Sequence, residues 1–240
     1  MRPIKSLKGK RIAIVGLGNS QIDYIIGREN SVEWDEVWGI NAVATVLQVD
    51  RLFMMDPASR FLDTDDAGGQ TEIMRKTLPK LDIPIYTCEL DARVPAAVEY
   101  PLDEVINYSK CAYLNNTVPF AIAFAYWNQV AEINLFGLDY SYEHNLHFAE
   151  AGRACVEFWL AKCIEKNIAI GCSQRSSLLD QNVVLRDRLY GYHRLADPMV
   201  AVPNKDKWLT CKSSELDQKL AENNLEIPDK RPKPPEPYRG

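Results

Sequence analysis

Short apolar runs recur along the chain, and longer stretches with helical spacing separate them. The runs are continuous rather than alternating, which is typical of strands that are covered on both faces. The predicted strands are residues 11–16, 36–41, 51–56, 83–88, 131–137 and 168–172. The predicted helices are residues 20–28, 42–48, 69–80, 117–128 and 150–166. Strands that alternate with helices predict an α/β fold, doubly wound around a mostly parallel, Rossmann-like sheet.

The hydrophobic pattern loosens towards the end of the chain. We therefore predict a nucleotide-binding domain at 1–180, followed by a C-terminal lid or extension at 181–226 with one helix at 213–223. The last segment, IPDKRPKPPEPYRG at 227–240, is rich in proline and cannot pack as a helix or a central strand. We expect this tail to be extended or disordered.

Composition narrows the class of protein. A net charge of -5 over 240 residues argues against binding through a broad basic face, so nucleic acid is an unlikely partner. The cysteines form no C-x-x-C or zinc-type spacing, which is typical of reduced core residues in a cytoplasmic protein. The longest apolar run, Val118–Trp127, is too short to cross a bilayer, and the N-terminus lacks a signal-peptide cleavage site. We expect a soluble protein, and a homo-oligomer remains open.

The stretch RIAIVGLGNS predicts a strand, a tight turn and a helix start, the geometry that cradles phosphate groups. Gly16 and Gly18 would let the backbone approach a ligand, and Ser20 would cap the helix. The dinucleotide fingerprint has a third glycine at the position of Gln21 in this chain. It also has an acidic residue after the second strand, where this chain has Asn41. Both departures argue against a nicotinamide cofactor.

Polar residues stand at the ends of predicted strands, where an open parallel sheet forms its ligand crevice. Asn41, Asp56 and Asp139 occupy such positions. The chain has no Walker phosphate loop and no G-x-S-x-G elbow, which disfavours an ordinary nucleotide triphosphatase and an α/β-hydrolase. What remains is a Rossmann-like domain that binds a nucleotide or a nucleotide-activated group.

Histidine is the natural general base near neutral pH, and the chain has three. His144 and His147 fall in a predicted loop that follows a strand-end aspartate and precedes a helix. His193 falls in the C-terminal extension, where it could belong to a lid. His144 and His147 could equally be surface residues of the loop, and a surface or packing residue is the more usual role for a histidine placed like His193.

An ordered series of segments resembles a known family. The series GLGNS, GINAVA, FMMDP, the long apolar helix followed by GLDYSY, and HFAEAGRACVEFW resembles the bacterial lipooligosaccharide sialyltransferases. It is also similar to a broader Rossmann-like group that includes hydroxymethylpterin diphosphokinases and motility-associated glycosylation factors. The resemblance covers about residues 11 to 180 and lies in the order and spacing of the segments.

The resemblance implies roles for individual residues. With the strand-end residues above, the nucleotide-binding set is Gly16, Gly18, Asn19, Ser20, Asn41, Asp56, Thr117 and Asp139. Tyr140 and Tyr142 would hold the phosphate that leaves. The general base would be His147. It stands eleven residues before Phe158, the same spacing that separates the family's catalytic histidine from a phenylalanine in its helix.

The favoured function is that of a sialyltransferase-like glycosyltransferase, which moves a sugar from a nucleotide-sugar to a hydroxyl acceptor and needs no cofactor. The alternative is a diphosphokinase dependent on Mg²⁺, because Asp56 stands where the sialyltransferases have asparagine and a carboxylate beside phosphates suggests a divalent metal. Asp56 and Asp139 would then be the metal ligands. A third hypothesis is a nucleotide-binding module without catalytic activity. Donor and acceptor both stay open at this point.

Overall fold

The computed structural model describes residues 1–141, 145–185, 187–191, 197, 199–205 and 207–225. The chain divides into two compact units, Met1–Val183 and Val184–Gly240. No helix in the described ranges combines the length and the apolar character that a bilayer span requires.

The first unit is built on a parallel sheet of seven strands. The strands are β1 (Arg11–Val15), β2 (Glu36–Ile40), β3 (Arg51–Phe53), β4 (Ile85–Thr87), β5 (Ala97–Glu99), β6 (Glu132–Phe136) and β7 (Ala169–Cys172). They lie in the order β5-β4-β3-β2-β1-β6-β7, so the direction of winding reverses between β1 and β6. The predicted doubly wound, parallel α/β fold is confirmed, and a reversal of this kind is where such folds bind ligands.

Helices connect the strands of this unit. They are α1 (Gln21–Glu29), α2 (Ser59–Leu62), α3 (Gln70–Thr77), α4 (Leu102–Ser109), α5 (Thr117–Trp127) and α6 (Leu146–Glu165). Short 3-10 helices occupy Lys5–Leu7, Asn41–Thr45, Leu78–Lys80 and Leu178–Asp180. The second of these replaces the α-helix predicted at 42–48, because the chain leaves helical geometry at Val46, where φ is -127°.

Helix α5 forms the middle of the main core. Its Phe124 ring lies 5.7 Å from Trp38 of β2, 5.5 Å from Phe53 of β3 and 4.6 Å from Tyr86 of β4, between ring centroids. A helix that is apolar on all sides is stable in water only when protein covers it. This packing explains the longest apolar run of the sequence as a buried helix.

Helix α6 begins earlier than predicted. The side chain of Asn145 accepts a hydrogen bond from the Phe148 amide at 3.2 Å, which caps the helix at its first turn. The helix therefore starts at Leu146 rather than at residue 150. The prediction that His147 lies in a loop is wrong, since it belongs to the first helical turn.

The second unit contains an antiparallel hairpin of β8 (Met199–Asn204) and β9 (Lys207–Lys212). A 3-10 turn at Ser213–Glu215 and helix α7 (Leu216–Glu222) follow, where one helix was predicted at 213–223. The hairpin was not predicted: both faces of β8 keep partial or full contact with solvent, so its apolar pattern is weak. The proline-rich tail at 227–240 lies outside the described residues.

Candidate functional site

A cavity of about 890 Å³ lies at the carboxyl ends of the parallel strands. Segments that follow β1, β2, β3, β4 and β6 form its walls, together with the starts of α5 and α6. The predicted site residues that line it are Gly16, Gly18, Asn19, Asn41, Asp56, Thr117, Asp139 and Tyr140. Ser20 and His147 are not among its described lining residues. Tyr142, like His144 and His193, lies outside the residues that the structure describes.

The glycines of the first turn are required by the packing of two loops against each other. A Cβ atom at Gly16 would overlap the carbonyl oxygen of Gly137, and one at Gly137 would overlap the carbonyl oxygen of Gly16. A Cβ atom at Gly18 would lie 2.6 Å from a carboxylate oxygen of Asp139. We predicted that these glycines let the backbone approach a ligand. Their missing side chains admit the loop that follows β6, and the turn lines the cavity, so the approach of a ligand stays a prediction.

Hydrogen bonds between Ser20 and the loop that follows β6 hold the start of α1 in place. Ser20 is completely buried, and its amide donates to Asp139 Oδ2 at 2.8 Å while its hydroxyl donates to Asp139 Oδ1. The same hydroxyl accepts the Gly137 amide at 2.7 Å. The prediction that its side chain caps α1 is wrong, because the hydroxyl bonds to the β6 loop. Gln21 stands where the dinucleotide fingerprint has its third glycine. Its side-chain amide donates a hydrogen bond to the Gly16 carbonyl at 2.9 Å.

Asn41 carries a polar atom without a partner. It follows β2 with a left-handed backbone, φ +51°, which asparagine tolerates better than most residues. Its Oδ1 atom is buried and has no hydrogen-bond partner in the described structure. A buried acceptor left unpaired costs about 1–3 kcal/mol, and Asn41 bears this cost at a position that lines the cavity.

The carboxylate of Asp56 is paired with an arginine that sequence analysis missed. Arg60, one turn later at the start of α2, places Nη1 2.6 Å from Asp56 Oδ1, and both residues line the cavity. The bond to Asp56 raises the pKa of the Arg60 guanidinium, so the arginine stays charged. The (i, i+4) spacing of the two residues was the available signal.

The first turn of α5 forms another part of the wall. Asn116 caps the helix: its Oδ1 accepts from the Val118 amide at 3.3 Å and from the Tyr140 hydroxyl at 2.8 Å. Tyr140 has φ +48°, and its ring packs where Gly152 has no Cβ. Thr117 is almost completely buried at this end of the helix. The Tyr140 hydroxyl thus bonds to the cap of α5 at the edge of the cavity.

One carboxylate oxygen of Asp56 and both of Asp139, the residues proposed for a metal, already have partners in the protein. Asp56 pairs with Arg60, and both carboxylate oxygens of Asp139 accept bonds from Ser20. Within the described ranges, no cluster of at least three His, Cys, Asp or Glu side chains is arranged to hold a metal ion.

His147 projects from the first turn of α6 as an exposed side chain. Its neighbour Phe148 lines the cavity, which places His147 one residue from the wall. A hydroxyl acceptor deprotonated by His147 would therefore have to sit at the rim where α6 begins.

Cys88 offers a chemical handle inside the cavity. It follows β4, lines the cavity and is exposed, while the surrounding protein raises the pKa of its thiol above the usual 9.0 by desolvation. Because alkylation proceeds through the thiolate, we expect its rate to rise about tenfold per pH unit up to that raised pKa. Cys163 should stay unlabelled in the folded protein, since it is fully buried and its pKa is raised to about 12.

The measurement is mass spectrometry of the protein after timed treatment with N-ethylmaleimide across a pH series. The variant Cys88→Ser, which removes the reactive thiol, is the control. Equal labelling of Cys163 and Cys88, or a rate that levels off below about pH 8, would contradict the expected order of reactivity.

Several solved structures are similar to this chain. The sialyltransferase CstII from Campylobacter jejuni in complex with CMP-3FNeuAc is 18% identical, with a TM-score of 0.44, over 89% of this chain and 99% of that one. The CstII complex with cytidine-5'-monophosphate is 17% identical, with a TM-score of 0.43, over 71% and 82%. An α-2,3-sialyltransferase from Campylobacter jejuni in apo form is 17% identical, with a TM-score of 0.42, over 74% and 82%.

No protein-family model matches the sequence, and a search of curated proteins gives no match. The solved structures above are sialyltransferases, the class of enzyme that the ordered segments of the sequence resemble.

Proposed function

We propose that this chain is a glycosyltransferase that moves a sugar from a nucleotide-sugar donor to a hydroxyl acceptor. The observation that carries the proposal is the meeting of the first glycine turn, Asn41, Asp56 and the start of α5 in one cavity. These are the segments to which the sequence resemblance assigns the donor. They lie far apart in the chain, and the parallel sheet brings them to one wall.

The size and polarity of the cavity suit such a donor. A volume of about 890 Å³ is near the upper end of the usual range for small-molecule sites, which runs to roughly 1,000 Å³. The start of α5 points a helix N-terminus at the cavity, and the positive end of the helix dipole favours phosphate. Asn41, which lines the cavity, is the proposed side-chain contact from the end of β2 to the donor.

In the proposed reaction, His147 removes the proton of the acceptor hydroxyl as its oxygen bonds to the anomeric carbon of the sugar. The bond from that carbon to the phosphate oxygen breaks, and the nucleotide leaves with the electron pair. Tyr142 is the proposed donor to the departing phosphate, and Tyr140 could join it only by giving up its bond to Asn116 Oδ1. This chemistry needs no metal ion.

The diphosphokinase alternative rested on Asp56 as a carboxylate beside phosphates, where the sialyltransferases have asparagine. Arg60 neutralises that carboxylate, and the Asp139 oxygens are bonded to Ser20. The glycosyltransferase is therefore the function that we propose.

A thermal-shift panel with CMP, UDP, GDP, ATP and NAD tests donor binding. A ligand at 100 times its dissociation constant adds about 2.7 kcal/mol, which should raise the melting temperature by about 5–10 °C in a unit of this size. We expect one of the first three nucleotides to do so. Stabilisation by NAD alone would point to an oxidoreductase, and no stabilisation by any of the five would end the donor-binding proposal.

The variant Asn41→Gly separates ligand contact from folding. Glycine keeps the left-handed backbone while removing the side-chain amide, so the ligand-induced shift should fall and the unliganded melting temperature should change little. Asn167→Gly is the matched control, because Asn167 also has positive φ, +59°, but is not among the lining residues. Equal ligand shifts in both variants would remove Asn41 from the binding set.

A further inference from the structure

Charged groups on the cavity wall are few. Among the lining residues that the structure describes, Arg60 is the only lysine or arginine, and the carboxylates are Asp56 and Asp139. The oxygens of Asp139 accept both donors of Ser20, so that carboxylate faces the protein. An anionic ligand in this cavity therefore meets one side chain that carries positive charge.

Two carboxylates hold Arg60 in place. Its Nη1 bonds to Asp56 Oδ1 at 2.6 Å, and its Nε lies 3.4 Å from Asp66 Oδ1 in the loop that follows α2. The guanidinium is a planar fork with several N–H donors, so these two bonds leave others available. With 41% of the side chain exposed, a ligand can reach them.

The geometry points to Arg60 as the residue that binds a phosphate oxygen of the nucleotide, with Asp56 as its positioning partner. The inference rests on the proposed function. It adds that Arg60 lets the site bind a nucleotide more tightly than the nucleoside without phosphate. An arginine that is already oriented loses less freedom when it binds phosphate than a free side chain would. Asp56 then acts on the ligand through Arg60, which differs from the direct contact that the sequence predicted.

The test compares each nucleotide with its own nucleoside: CMP with cytidine, UDP with uridine, GDP with guanosine and ATP with adenosine. Affinities are measured by titration calorimetry on the full chain and on Arg60→Gln. We expect the substitution to weaken the nucleotide that the wild type binds by about 10- to 100-fold, because charge-assisted bonds to phosphate are strong. Affinity for the matching nucleoside should change less than about twofold, and Arg60→Lys should restore part of the loss.

Arg153→Gln is the matched control. Arg153 also pairs with a carboxylate at (i, i+4), Glu157, and with a second carboxylate, Asp180, but it is not among the described lining residues. Its affinities for nucleotide and nucleoside should equal those of the wild type. Should Arg60→Gln fail to fold, the affinities of the wild type and of Arg60→Lys are measured at increasing salt concentration. We expect the wild-type affinity for the nucleotide to fall as salt rises, and its affinity for the nucleoside to stay constant.

The outcomes separate the two proposals. Equal loss of nucleotide and nucleoside affinity in Arg60→Gln, or no loss of either, overturns the phosphate assignment and leaves the proposed function standing. In the salt series, nucleotide affinity that ignores salt overturns the assignment in the same way. If the wild type binds none of the four nucleotides, the proposed function and the Arg60 assignment fail together.

Discussion

Replacing His147 by alanine should lower the turnover of a nucleotide-sugar by about 100- to 10,000-fold and leave donor affinity nearly unchanged. The reason is that a general base accepts the proton in the transition state and contributes little to the binding of the donor in the ground state. The exposed position of His147 makes the experiment clean, because truncating an exposed side chain should barely affect folding. The measurement is steady-state kinetics of donor consumption beside the melting temperature.

Glu150→Ala is the control for disturbance of the helix, since Glu150 is also exposed near the start of α6 and is not among the described lining residues. A parallel assay with a chelator distinguishes the alternatives: activity that survives chelation but collapses in His147→Ala supports glycosyl transfer, and the opposite pair supports metal-assisted phosphoryl transfer. Full activity of His147→Ala would assign the base elsewhere, with His144 and His193 next.

Replacing Gly137 by alanine should destabilise the first unit by about 2–5 kcal/mol. Two costs add: the new Cβ would overlap the Gly16 carbonyl oxygen, which is backbone and cannot rotate away, and φ is +65°, where L-residues are strained. Denaturant unfolding measures the loss.

Gly68→Ala isolates the clash from the strain. Gly68 has a similar φ, +61°, but a Cβ there would meet nothing within 4 Å, so it should lose only about 1–2 kcal/mol. If the two variants were equally destabilised, the close contact between the two loops would carry no energy of its own.

The sequence predicted the sheet because buried parallel strands must be apolar throughout. Ile12, Ala13, Ile14 and Val15 are fully buried. A short, continuous apolar run of this kind is typical of a strand that is covered on both faces. Strand β5 was missed for the opposite reason: Ala97–Glu99 is three residues long and only partly covered at the edge of the sheet. Its signal is too short for periodicity to detect.

The residues of the site were easier to predict than their roles. Strand-end positions follow from topology, so Asn41, Asp56 and Asp139 could be selected and do line one cavity. Their partners could not be read from the chain, because the Ser20 hydroxyl meets Asp139 only after β1 and β6 become neighbours. Arg60 has its partner nearby in sequence, but an aspartate and an arginine one turn apart usually form only a surface ion pair.

The pairing of β1 with β6 bears on how the chain is made. Arg11 lies beside Glu132 and Val15 beside Phe136, so one side of β1 finds its partner only after most of the first unit has been synthesised. A nascent chain leaving the ribosome with β1 to β5 would present β1 as an apolar open edge, the kind of surface that aggregates or recruits chaperones. The loop contact between Gly16 and Gly137, which shapes part of the cavity wall, must also wait until β6 has been synthesised.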